Sequence, residues 1–261
     1  MENSCIHCSK NFEENFCNYC GQKKYKRIDR KYIWDELQYT LVHVNKGFLY
    51  SIKSIIKNPG KMARAFIDGD RVNHYKPISL VFILATISAF LSISVVKVYE
   101  KMGAFMIENK MAAGSMLENM SFVNKYNSYL MILFVPVVAL FTRWVFRKWG
   151  HNYYEHIIMN AIGVSLYLLL LIFIFYPILY LVKDNNSLYM KVFATGFLFI
   201  PILMVILFKE FYAEKPLKTI IMKVLLLVFL LLVSYILSII IFSIILFMFK
   251  SPEELKSMQV N

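Results

Sequence analysis

Charged residues are missing from five long stretches of this chain, and their absence limits what the protein can be. Asp, Glu, Lys and Arg are all absent from residues 77–96, 126–142, 157–182, 192–208 and 224–249. A helix needs roughly 17–25 apolar residues to cross a bilayer, so each stretch is long enough. The pattern predicts five transmembrane helices and disfavours an ordinary soluble domain. It also disfavours proton-coupled transport and a buried catalytic carboxylate, because both need ionisable side chains within the spans.

The amino-terminal residues lack the apolar stretch of a cleavable signal peptide, so we expect this end to stay in the cytoplasm. Five spans then place residues 1–76, 143–156 and 209–223 inside, with 14, 3 and 4 of the 29 Lys and Arg residues. Lys and Arg accumulate on the cytoplasmic side of membrane proteins. The bias predicts a multi-pass protein of the cytoplasmic (inner) membrane, with the amino terminus inside and the carboxyl terminus outside.

Cysteine is scarce and confined to one place. The four cysteines of the 261-residue chain form two CxxC pairs, Cys5, Cys8, Cys17 and Cys20. Thiolates at this spacing can close a tetrahedron around zinc, and Gly21 permits the tight turn after the last of them. A reducing cytoplasm argues against disulfides. The sequence predicts a structural zinc ribbon over residues 1–22, with a redox dithiol, an iron cluster or unliganded cysteines as alternatives.

Residues 23–76 are predicted to connect the ribbon to the membrane. Their first part is strongly basic, and we assign it to the membrane surface through Lys23, Lys24, Lys26, Arg27, Arg30, Lys31 and Trp34. Such a segment binds anionic lipid headgroups or serves only as a topology signal. From Ile33 to Ile55 an apolar stripe recurs at helical spacing. It predicts an amphipathic helix, which either lies in the cytoplasmic interface or packs on other helices.

Helix-breaking residues punctuate the approach to the first span. Pro59 and Gly60 are predicted to end one helix, Gly69 to end a short second one, and Pro77 to begin the span. This part of the chain resembles a bacterial multi-pass membrane family, domain-of-unknown-function family 3667. The resemblance is carried by the two CxxC pairs, the Pro-Gly pair, the Gly-Asp-Arg triplet at 69–71, and the Tyr and Pro before the span. The resemblance covers about residues 5–90 and implies an integral inner-membrane protein with an amino-terminal zinc ribbon. It implies no activity.

Two polar clusters are candidates for chemistry. The first contains Asp68, Asp70, Arg71 and His74, and the second, in the sequence HNYYEH, contains His151, Glu155 and His156. The second cluster has one residue more than the HxxEH motif of inverted zincins, so His156 would turn about 100° away from Glu155 on a helix. We interpret the first cluster as solvated turn charges and the second as part of an interfacial anchor. A metal site or a lipid-directed enzyme is the alternative.

Together these features predict an all-α integral membrane protein with about five transmembrane helices over residues 77–250 and a tail at 251–261. Three predicted spans contain prolines that can kink them, namely Pro136, Pro177 and Pro201. The predicted function is a non-enzymatic adaptor whose zinc ribbon docks an unknown protein partner. The alternative is a permease or pore component with the ribbon as a regulatory cap. Membrane lipids are expected partners. Nucleic acid is not expected, since the sequence contains no recognisable nucleic-acid-binding module. The oligomeric state is left open, and a homo-oligomer is possible.

Overall fold

The computed structural model describes residues 3–4, 8–13, 16–20, 47–70, 74–110 and 133–249. The chain divides into two units, Met1–Asn45 and Lys46–Asn261, and each is described by itself. Several predicted features lie outside the described residues: Cys5, the basic residues between Lys23 and Lys31, Trp34, Arg71 and the tail at 251–261. The predicted domain boundaries therefore stay predictions.

The first unit contains a short antiparallel hairpin. Its strands are β1 (Asn3–Ser4) and β2 (Asn11–Phe12), with Asn3 opposite Phe12. The connection between them includes Ser9, whose φ of 58° lies in the left-handed region. Residues other than glycine adopt that conformation at a cost. Ser9 follows the second cysteine of the first CxxC pair as Gly21 follows that of the second pair.

The second unit is helical. Its elements are α1 (Gly47–Lys57), α2 (Pro59–Asp68), α3 (Pro77–Phe90), α4 (Val98–Glu108), α5 (residues 133–146), α6 (Tyr153–Leu170), α7 (Tyr176–Leu181), α8 (Asn186–Phe211) and α9 (Leu217–Phe249). A π-helical turn, Leu91–Val95, extends α3, and another, Leu171–Phe175, joins α6 to α7. A 3-10 turn, Arg147–Trp149, follows α5.

The predicted punctuation before the first span is confirmed. Helix α1 ends at Lys57, just before Pro59 and Gly60. Both residues lie in the first turn of α2, where the missing N–H of proline costs nothing. Gly69 ends α2 with a φ of 116°, a conformation that glycine adopts without steric cost, and Pro77 begins α3.

Four helical stretches among the described residues are long and apolar enough to cross a membrane: Pro77–Val95, Tyr153–Leu181, Asn186–Phe211 and Leu217–Ser238. They correspond to the first, third, fourth and fifth predicted spans and mark the chain as a membrane protein. These helices extend past lysines that bounded the predictions, such as Lys191 and Lys223. Long lysine side chains permit this because their ammonium groups can reach back to water.

The second predicted span, 126–142, is described only from residue 133 onward, where α5 is helical. The Tyr153 hydroxyl donates to the carbonyl oxygen of Pro136 at 3.2 Å, and Asn160 Nδ2 donates to Thr142 Oγ1 at 2.8 Å. The described part of α5 therefore packs on the first turns of α6, and the count of five spans stays a prediction.

The apolar stripe predicted before the first span packs on protein over its described part. Ile55 is fully buried, and Phe48 and Ile52 lie against the same core. Leu49 and Ile56 lie beside that buried face and are 72% and 59% exposed, whereas the exposed Lys53 and Lys57 lie on the side of the helix away from the core. One face of α1 is therefore docked on the helical unit, and apolar side chains next to it remain exposed.

Helix α2 lies directly on the end of α8. The N–H of Gly60 donates to Glu210 Oε2 at 2.9 Å, so a carboxylate from α8 satisfies one of the open donors at the start of α2. Arg64, one turn later, donates to the carbonyl oxygen of Phe211 at 3.4 Å. The beginning of α2 and the end of α8 thus satisfy each other's unpaired backbone groups.

Candidate functional site

The candidate metal centre is a group of three cysteines in the first unit. Ligand atoms of Cys8, Cys17 and Cys20 all lie within 4.8 Å of one another, and the sulfurs of Cys8 and Cys17 are 3.5 Å apart. That distance excludes a disulfide between these two, whose sulfurs would be about 2.05 Å apart. It is close to the edge of about 3.8 Å that zinc–sulfur bonds of about 2.3 Å produce in a tetrahedron. The three sulfurs fit a metal ion such as zinc.

The surroundings of Cys17 favour its thiolate. The pKa of the Cys17 thiol is lowered from its ordinary value of 9.0 to about 7. The main cause is a hydrogen bond from the backbone at Tyr19, and desolvation opposes it. Cys8 and Cys20 lower the pKa further through their own hydrogen bonds. Because the thiolate is the form that binds metal, the cluster can take up a cation near neutral pH.

Aromatic side chains project from the surface beside these cysteines. Phe16 is 54% exposed and Tyr19 is 66% exposed. The ammonium of Lys10 lies 3.9 Å from the ring centroid of Tyr19, a cation–π contact that holds the ring from one side. Exposed aromatic residues are the type that anchor protein–protein interfaces. We call the segment that holds Cys8, Cys17 and Cys20 the clip, and Lys10, Phe16 and Tyr19 its aromatic surface.

The HNYYEH segment begins helix α6, and its glutamate has a structural role. Asn152 accepts from the N–H of Glu155 at 3.0 Å, and Glu155 accepts from the N–H of Asn152 at 2.8 Å, which is a capping box. His151 precedes the helix and lies apart from that pair, with its Nδ1 3.2 Å from the Tyr212 hydroxyl. Burial raises the pKa of Tyr212, so the hydroxyl keeps its proton and can donate.

His156 is buried in α6 rather than directed to a site with His151. Its side chain has no exposed surface, and neither ring nitrogen has a hydrogen-bond partner. One turn later Asn160 donates to the His156 carbonyl oxygen at 2.7 Å and to Thr142. In the part of the chain that the structure describes, the three cysteines are the one group of three or more potential ligands found close together. The second predicted cluster is therefore not assembled into a metal site.

The first predicted cluster is also dispersed. Asp68 forms an exposed ion pair with Arg64 at 3.1 Å, one turn earlier on α2. His74 packs between aromatic rings, 5.1 Å from that of Tyr50 and 6.4 Å from that of Phe66. Asp70 is exposed, and its N–H donates to the carbonyl oxygen of Ala65 as part of the helix end. Among the described members, Asp70 lies at the helix end, Asp68 pairs with Arg64, and His74 packs against aromatic rings.

Comparison with known proteins gives one match. A family model described as "Protein of unknown function (DUF3667)" matches residues 45–89. This stretch contains α1, α2 and most of α3, together with the Gly60 contact. No curated protein and no solved structure matches the chain. The match agrees with the family named from sequence over that stretch, and it does not extend to the cysteines.

Two structural features escaped the sequence analysis. The capping box could have been found, because Asn-x-x-Glu before an apolar run is its sequence signature. The contact between Gly60 and Glu210 could not, because the two residues are 150 positions apart. Only the fold brings the end of α8 to the beginning of α2.

Proposed function

We propose that the chain is a non-enzymatic adaptor of the cytoplasmic membrane, in which a zinc-bound clip docks a protein partner. The observation that supports this most is the convergence of Cys8, Cys17 and Cys20 in the segment that also carries the exposed Phe16 and Tyr19. Bound zinc would supply folding free energy to a segment too short to bury a core of its own. Cys5 would complete the tetrahedron as the fourth ligand.

The grouping of helix ends agrees with the two sets of segments that the charge bias assigns to opposite sides of the membrane. Three segments predicted to be inside meet at one end of the helical unit, through Gly60 with Glu210 and through His151 with Tyr212. At the other end, the Tyr189 hydroxyl donates to the Val96 carbonyl oxygen at 3.1 Å, and Asn186 lies 3.5 Å from Glu108. Segments 97–125 and 183–191, predicted to be outside, are joined by these contacts.

The test is crosslinking in cells followed by affinity capture of the tagged full-length protein. We would compare the wild type with Cys17→Ser/Cys20→Ser, which removes metal ligands, and with Phe16→Ala/Tyr19→Ala, which keeps every cysteine. All three would be captured at matched membrane abundance. We expect one partner to be lost from both variants, while zinc content falls only in the cysteine variant. Identical captures from all three proteins would refute the adaptor function.

A permease or pore component is the second candidate, and one observation favours it. The π-helical turn Leu91–Val95 and α7 pack together in the apolar region, where the hydroxyls of Ser88 and Tyr176 lie 2.7 Å apart. π-helical turns occur often at functional sites. Flux through proteoliposomes that is altered by Ser88→Ala would support transport. The absence of measurable flux for a broad panel of solutes would argue against transport.

A cavity in the same unit suits lipid better than a polar solute. It has a volume of about 430 Å³ and is lined wholly by apolar side chains, Ile78, Val81, Leu133, Val135, Pro136, Ile157 and Ala161. Polar solutes need hydrogen-bonding groups to replace their water. We therefore rank the adaptor above the permease.

A further inference from the structure

A basic cluster lies beside Trp149 near the start of α9. The ammonium of Lys223 lies 5.1 Å from the centroid of the Trp149 ring and donates a hydrogen bond to the carbonyl oxygen of Val145. Arg147 and Lys148 are exposed and lie in the 3-10 turn that contains Trp149, the residue that Lys223 contacts. We call Arg147, Lys148 and Lys223 the basic cluster.

The basic cluster has no acidic partner within the described ranges. The two ion pairs found there, Arg64–Asp68 and Lys97–Glu100, involve none of its members. Glu214, in the turn before α9, forms no ion pair with it either. Three positive charges that converge without a counter-ion repel one another, so the local potential is complementary to an anion.

The position of the cluster indicates where that anion comes from. Lys223 lies in the second turn of α9, within the stretch Leu217–Ser238 that can cross a membrane. Its neighbours Met222 and Leu225 are 62% and 60% exposed, so apolar surface surrounds it on the helix. A lysine in this place extends its ammonium to the level of the lipid headgroups. The lipid phosphates lie at the level of the headgroups, where tryptophans such as Trp149 are enriched.

We propose that Arg147, Lys148 and Lys223, with Trp149 beside them, form a binding site for the phosphate group of an anionic phospholipid. The Arg147 guanidinium can contact two phosphate oxygens at once, and the two ammonium groups add charge. Inorganic phosphate has the same chemistry, and the test must separate the two sources. All four of its residues belong to the second unit.

Trp149 provides the probe. The chain has three tryptophans, so Trp34→Phe/Trp144→Phe leaves Trp149 as the single fluorophore of the full-length protein. This protein is reconstituted in phosphatidylcholine vesicles that contain either brominated phosphatidylglycerol or brominated phosphatidylcholine, since bromine quenches a nearby indole. The ratio of quenching by the two lipids gives the preference of the site for the anionic headgroup. We expect phosphatidylglycerol to quench more strongly at equal mole fraction.

The site variant is Lys148→Met/Lys223→Met, and the matched control is Lys53→Met/Lys57→Met, which removes two exposed lysines from α1. We expect the preference to fall by about fivefold or more in the site variant, from the attraction of each basic residue to an anionic surface. The control should keep most of the preference for phosphatidylglycerol. If Lys223→Met lowers the yield of folded protein, Lys148→Met alone changes only an exposed side chain and should still reduce the preference.

Three results would overturn the proposal. Equal quenching by the two lipids would show that the site has no preference for an anionic headgroup. Equal losses in the site variant and the control would show that general surface charge accounts for the preference. Equal quenching by the two lipids, together with a change in Trp149 fluorescence on adding inorganic phosphate at constant ionic strength, would identify the ligand as free phosphate rather than lipid.

Discussion

Replacing Gly60 with alanine should separate α2 from α8. A Cβ atom on Gly60 would lie 2.5 Å from both Glu210 Cβ and the backbone nitrogen of Phe211, and it would also collide with the carbonyl oxygen of Leu207. Two of these atoms belong to the backbone of a long helix and cannot move independently. Small residues permit such close approaches between helices in membranes. The substitution therefore forces α2 to move.

The size of the effect follows from three contributions. Overpacking costs about 1–3 kcal/mol. Displacing α2 also weakens the 2.9 Å hydrogen bond from Gly60 to the Glu210 carboxylate, and a hydrogen bond to a charged group contributes about 1.5–3 kcal/mol. The higher helix propensity of alanine returns at most about 1 kcal/mol. We expect the free energy of unfolding to fall by about 2–4 kcal/mol relative to the wild type.

The assay is reversible unfolding in mixed micelles, combined with hydrogen exchange of the α2 backbone, and the chain supplies two matched controls. An added Cβ at Gly163 meets only the end of the Leu207 side chain, at 2.9 Å, which can rotate away. At Gly196 the nearest atom belongs to the Phe175 ring at 3.4 Å, an ordinary contact. The expected order of destabilisation is Gly60→Ala, then Gly163→Ala, then Gly196→Ala. If Gly60→Ala and Gly196→Ala unfold alike, the close contact does not hold α2 on α8.

Three further substitutions test other parts of the structure. Ser9→Gly should tighten zinc binding in a chelator competition, because it removes the cost of a left-handed residue, whereas Asn18→Gly, outside that conformation, should not. His156→Leu should raise the free energy of unfolding in micelles by about 1–3 kcal/mol, because two buried nitrogens have no partner; a decrease would indicate a bound water. A double-mutant cycle of Ser88→Ala with Tyr176→Phe should give a coupling of about 0.6–1.7 kcal/mol, as for other hydrogen bonds in membranes, and additive losses would contradict it.

The sequence was most informative where local chemistry decides the structure. Gly69 and Pro77 specify backbone conformations by themselves, so the end of α2 and the beginning of α3 could be predicted. The absence of charge located the four described spans for the same reason, since lipid excludes ions whatever the neighbouring helices are. Their exact ends could not be predicted, because Lys223 is accommodated by the Val145 carbonyl oxygen and the Trp149 ring.

Features that depend on distant partners could not be predicted. Glu155 belonged to a candidate cluster because its neighbours are histidines, yet its carboxylate accepts a hydrogen bond from the backbone N–H of Asn152 in a capping box. Gly60 was expected only to help end α1, and its hydrogen bond to the Glu210 carboxylate depends on a residue 150 positions away. The cysteines are intermediate: their spacing predicted a cluster, and the structure brings three of their sulfurs together.

The segment matched by the family model explains the docking of the helices more than the activity of the protein. Pro59, Gly60, Gly69 and Pro77 all lie within residues 45–89, and each has a role in backbone geometry or close packing. A residue that already has a structural role of this kind gives no evidence for a bound ligand. The exposed Phe16 and Tyr19 and the unpaired charges of the basic cluster are not explained in this way. Both groups lie outside the matched segment, so the functional experiments belong there, while Gly60 tests the scaffold that positions them.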